Sequence, residues 1–154
     1  MKKADSMKNI LKKLKSFSKH HDVVTPISLQ EIENFETLNK IILPKSLKEL
    51  LISFDGGELF VPGTTFFGIG TNKKRPQLRK VNSKANRAIY TIPKNYLIIA
   101  KLNFGDFICI NLNKPYDVIE WDHETDKLFC RWDSLIEFLK DSIASFEMYE
   151  ESTL

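Results

Sequence analysis

Residues 43–59, LPKSLKELLISFDGGEL, constrain the fold more than any other stretch. Leu47, Leu50, Leu51 and Phe54 recur at three- and four-residue spacing, which lays one apolar stripe along a helix. Pro44 precedes the stripe, where a missing N–H costs nothing. Gly56 and Gly57 follow it, and glycine ends a helix in the left-handed conformation without a Cβ clash. These two glycines therefore read as a structural turn. A phosphate cradle would want them before a helix, with N–H groups aimed outward. Asp55 stands at the wrong end of the helix dipole, which hydrogen bonds from the N–H groups of the turn would offset. Behind the turn, LFVPGTTFFGIG switches to short β-branched and aromatic runs, so a helical layer hands over to strands here.

The flanking segments extend both halves. Residues 7–20 predict an amphipathic helix with Ile10, Leu11, Leu14 and Phe17 on one face, and His20 and His21 as cations that suit its C-terminal dipole. DVVTPI breaks it. Ser28 and Glu31 form a capping box, opening a helix that carries Leu29, Ile32, Phe35, Glu36 and Leu38 to about Asn39. NYLIIAKL and DFICINL predict strands joined through NFG, and DVIEW and KLFCRW predict two more around the polar DHETD. The last helix takes Asp133 or Ser134 as cap with Glu137 completing a capping box, and Leu135, Phe138, Leu139, Ile143 and Phe146 as its core face. Between the strand groups, residues 71–88 form a basic loop with one helix around 77–87, Leu78, Val81 and Ala85 facing inward. Helices, then strands, then a helix predict one α+β domain over 1–154, a mainly antiparallel sheet packed with several helices.

A chain of 154 residues is about one domain, and 42% hydrophobic with 28% charged residues is ordinary globular composition. No run approaches the ~20 apolar residues of a membrane span, and the N-terminal lysines precede no apolar core, so a cytoplasmic protein with no membrane partner is expected. Cys109 and Cys130 make no disulfide framework and read as reduced core residues.

The net charge of +3 conceals segregation. Residues 59–105 hold nine basic and no acidic residues, whereas residues 106–154 hold four basic and twelve acidic ones. Such asymmetry marks candidate binding surfaces. The basic candidates are Lys73, Lys74, Arg75, Arg79, Lys80 and Arg87, and the acidic ones are Asp122, Glu124 and Asp126.

The ordered set SLQEIENFETLNKIILPKSLKELLISFDGGEL, FFGIG, YLIIAKLNFGDFICINL, VIEWDHE and SLIEFLKDSI resembles the SUKH superfamily over roughly residues 28–146. The matching positions of the first piece are Glu31, Ile32, Phe35, Glu36, Leu43, Pro44, Leu47, Leu50, Leu51, Gly56 and Gly57. Asp55 departs from the asparagine common there, and the 71–88 insert is unusually basic. The resemblance implies binding rather than catalysis. Bacterial SUKH proteins are mostly immunity proteins that neutralise polymorphic toxins, often nucleases, and eukaryotic relatives act in regulation of cell-wall assembly. It implies a cognate toxin protein as partner, no catalytic set, no cofactor and no metal. A monomer or weak homodimer is expected.

Two other classes compete. Asp117, Glu120, Asp122, His123, Glu124 and Asp126 group carboxylates near a histidine, as a metal or acid–base site would. Alternation would put Glu120 and Asp122 on one strand face and Ile119 and Trp121 on the other. No metalloprotease, hydrolase or zinc spacing accompanies them, so a solvated hairpin turn is the simpler reading. Cys109 paired with His123 as a nucleophile is disfavoured, since burial raises a thiol's pKa. Trp121 and Trp132 are assigned to the core ahead of binding hot spots. A nucleic-acid or regulatory scaffold module would use the basic 73–87 segment, Lys84 included, with Phe66, Phe67 and Tyr90 flanking it. The acidic last third would repel such a polyanion.

Overall fold

The computed structural model describes residues 6–70 and 77–152. Helix α1 (Met7–Lys15) starts on Ser6, whose hydroxyl accepts the Asn9 N–H. It is shorter than its apolar pattern predicts, and the chain continues as a 3₁₀ turn over Ser18–His20. Three contacts account for the break. Phe17 packs edge-on against Phe60 and Phe146, and the His21 ring returns to the Leu14 carbonyl at 3.0 Å.

Helix α2 (Leu29–Asn39) carries the expected capping box, with Ser28 Oγ accepting the Glu31 N–H and Glu31 Oε1 accepting the Ser28 N–H. Its apolar face is narrower than predicted: Ile32 is buried, but Leu29 and Leu38 are exposed. Glu36 Oε2 takes the Leu43 N–H at 2.6 Å and lies 3.3 Å from Lys48 Nζ, which ties α2 to the next helix. That helix, α3 (Lys45–Ser53), buries Leu47, Leu50 and Leu51, with Phe54 buried at its end.

Seven strands then form one antiparallel meander in chain order: β1 (Asp22–Val23), β2 (Gly57–Leu59), β3 (Thr64–Phe66), β4 (Tyr96–Leu102), β5 (Phe107–Asn111), β6 (Val118–Asp122) and β7 (Lys127–Trp132). β1 lies in the segment that the sequence marks only as a helix breaker; its two residues pair with Gly57 and Glu58. Gly56 and Gly57 sit at φ +80° and +115°, the positive values that the turn requires.

The register of β5 and β6 sets Ile108 opposite Glu120, and Ala100, Ile108, Glu120 and Cys130 share one row across the sheet. This face meets α6 (Leu135–Ser152), where Phe138 packs on Phe66 and Trp132. Ser134 Oγ accepts the Glu137 N–H at the start of α6. Helices α1, α3 and α6 touch one another, so one apolar core lies between them and the sheet. The other face is crossed by residues 78–92, which hold two short helices, α4 (Leu78–Val81) and α5 (Lys84–Arg87), in place of the single predicted one. Asn82 separates them: its Nδ2 donates to the Leu78 and Ile98 carbonyls and its Oδ1 accepts the Ile98 N–H. Ala85, expected inward, is consequently exposed.

Candidate functional site

A concavity of about 700 Å³ runs between α2 and α4. Phe35 and Leu38 form its apolar wall, Ile69 and Gly70 lie in its lining, and Arg79 and Lys80 stand on the opposite side. Its shape follows from buried polar contacts. Asp55 Oδ1 and Oδ2 accept the N–H groups of Ile69 and Gly70, both at 2.7 Å. The expected compensation for Asp55 thus comes from the FFGIG segment, fourteen and fifteen residues away, rather than from the turn itself. Burial pushes the Asp55 pKa up, and the two N–H donors oppose that shift. The Leu78 N–H donates to the Gly68 carbonyl at 2.8 Å, fixing the start of α4 beside the same segment.

Arg79 and Lys80 are exposed, and neither side chain pairs with an acid among the described residues. Leu38, 72% exposed, adds apolar surface beside them. Cations thus stand next to exposed apolar surface, a mixture that protein-binding surfaces also show. Lys73, Lys74 and Arg75 lie outside the described residues.

Arg87 is placed differently. Its guanidinium donates to the carbonyls of Tyr96 at 2.5 Å, Pro93 at 2.8 Å and Ile92 at 3.3 Å. It fastens the crossing segment to the sheet and is spent on structure. The aromatics that flank the basic segment are engaged too: Phe66 and Phe67 are buried, and Tyr90 packs edge-on against Phe107.

The acidic candidates do not form one cluster. Asp117 accepts from Tyr96 Oη and Asn111 Nδ2 and lies 3.3 Å from Arg131, contacts that outweigh desolvation and lower its pKa. Asp126, at φ +55°, accepts from the Thr91 N–H and the Trp121 indole N–H, so it too is structural. Asp122 accepts from the N–H groups of Glu124 and Thr125 in the β6–β7 turn, and Glu124, 3.8 Å from His123 Nε2, is the exposed carboxylate there.

Sequence reasoning missed Asp106. One step beyond the Phe107–Trp121 pair, it enters the β6–β7 turn, where its Oδ1 meets the His123 N–H at 3.1 Å and Nδ1 at 2.6 Å. The hairpin register was the available signal. Donor atoms of Asp106, Asp122 and His123 fall within 4.8 Å of one another, and their hydrogen bonds within the turn account for the grouping. Asp106 also neighbours the buried Glu120. Burial and the neighbouring Asp106 charge push Glu120 up to about 7, so Glu120 holds the proton of the pair at lower pH.

His21 is not the helix-end cation expected. Nδ1 accepts the Phe60 N–H, Nε2–H donates to the Leu14 carbonyl, and burial lowers its pKa, so it works as a neutral imidazole. Burial also holds the Cys109 thiol up at about 12, which removes it as a nucleophile. Trp121 is buried; Trp132 is half-buried, with its indole N–H donating to Asp141.

Among the described residues, no helix is long and apolar enough to cross a membrane. No curated protein matches the chain. The model of the SMI1 / KNR4 family (SUKH-1) matches residues 26–141.

Proposed function

The chain belongs to the SMI1 / KNR4 family (SUKH-1), and on that premise we propose that it is an immunity protein. It binds a cognate bacterial toxin domain in the cytoplasm and neutralises it by covering the toxin's working surface, without catalysing a reaction. The family match is the observation that carries this reading. A nuclease is the toxin class expected most often.

The toxin-facing surface is the α2–α4 groove. Arg79 and Lys80 steer an acidic partner surface, and Leu38 and Phe35 supply apolar contact once it arrives. A nucleic-acid role is disfavoured by the burial of Phe66 and Phe67. Co-expression with the toxin domain encoded by an adjacent gene tests the proposal. Survival of cells that the toxin alone kills is the expected result; death despite a folded, well-expressed chain overturns it.

A further inference from the structure

A second groove, of about 590 Å³, lies between α6 and the turns that join β2 to β3 and β4 to β5. Its lining includes Phe60, Phe104, Trp132 and Tyr149, together with the carboxylates of Glu120 and Asp141. Among the described residues, no lysine, arginine or histidine lines it. His20, at its margin, packs on Phe146 and lies 3.5 Å from Glu150. Phe104 and Tyr149 are more than 60% exposed, so the aromatic rim faces solvent.

We propose that this groove receives a lysine or arginine side chain presented by a partner protein. Aromatic faces attract a cation through the ring quadrupole, and the long stem of either side chain covers apolar surface while its head reaches a carboxylate. Asp141 and, above about pH 7, Glu120 give the groove the complementary charge for such a guest. Asp141 already accepts the Trp132 indole N–H, which holds the ring and the carboxylate together on one wall.

Glu120 gives the site a chemical signature. Its carboxyl neighbours Asp106, and it also faces Cys130 and Asp122, with His123 held beyond Asp106 and Asp141 on the facing helix. A cation beside Glu120 favours the ionised pair, so binding displaces the proton and strengthens as pH rises through about 7. This assignment does not depend on the partner being a toxin.

The probe is the peptide acetyl-Ala-Ala-Arg-Ala-Ala-amide, compared with its neutral citrulline counterpart. The readout is the indole N–H resonance of Trp132 in the full chain. The expected result is a saturable shift at millimolar arginine peptide, several-fold weaker for citrulline, and tighter at pH 8 than at pH 6 by a margin that Glu120→Gln removes. Tyr149→Ala, on the exposed rim, weakens binding while leaving the fold intact. No saturable shift at millimolar peptide, or equal binding of the citrulline peptide, overturns the proposal even if Glu120→Gln fails to fold.

Discussion

Asp55 and Gly70 fit together only because Gly70 lacks a side chain: Asp55 Oδ2 accepts the Gly70 N–H at 2.7 Å, and a Cβ there would overlap the same oxygen. Asp55→Ala leaves the half-buried N–H groups of Ile69 and Gly70 without their acceptor and should destabilise the fold by about 1–3 kcal/mol. Asp55→Asn keeps one acceptor oxygen and should cost less. Gly70→Ala should resemble Asp55→Ala. Urea unfolding midpoints measure all three, and an unchanged midpoint for Asp55→Ala would remove Asp55 as the clasp of the groove.

Gly57 faces a related constraint from the other side of the turn. At φ +115°, its added Cβ would lie 2.5 Å from Val23 Cα. Gly57→Val should therefore displace β1 and cost more than the ~1 kcal/mol of an average substitution. Amide exchange should show the Val24 N–H, which donates to the Gly56 carbonyl, losing protection first.

The Glu120 proton predicts how stability depends on pH. A carboxyl raised from 4.5 to about 7 on folding keeps its proton in the native state over that window, after the unfolded chain has released it. Its contribution is present below 4.5 and is lost as pH rises through about 7. His21, lowered by burial, acts oppositely near neutrality, and Asp106, also lowered, acts below the Glu120 window. Comparing Glu120→Gln with the parent isolates the Glu120 term. The variant should gain relative stability as pH rises from 5 to 8, by about 1–3 kcal/mol. Parallel stability–pH curves would show that Glu120 titrates normally.

Arg87 and Arg79 separate structural from available cations. Arg87→Met removes the donor from three backbone carbonyls and should cost about 1–3 kcal/mol. Arg79→Met should change stability by less than about 0.5 kcal/mol. Thermal unfolding of the two variants distinguishes them, and equal melting temperatures would contradict the assignment of Arg87.

Local signals were readable where one element fixes itself. Ser28 and Glu31 announce α2, the Leu47–Leu50–Leu51 stripe announces α3, and the apolar runs of β4 and β5 announce central strands. Positions decided by distant partners were not readable. The two-residue β1 exists through its pairing with Gly57 and Glu58, and α4 stops because Asn82 bonds to Ile98. Charge pattern alone grouped Arg87 with Arg79 and Asp126 with Glu124. Tertiary contacts divide each pair into one structural and one exposed residue. The family resemblance, by contrast, rested on ordered local pieces and spans nearly the same residues as the family match.

The association rate of the chain with its toxin, measured by stopped flow at several salt concentrations, tests the assigned binding face most directly. Steering by exposed charges acts on the rate of encounter and is screened beyond about 8–10 Å at physiological salt. Arg79→Glu with Lys80→Glu should slow association about tenfold at low salt, with the deficit shrinking as salt rises. An unchanged rate for this double reversal, with slowing by Glu124→Lys instead, would contradict the account and move the interface to the acidic turn.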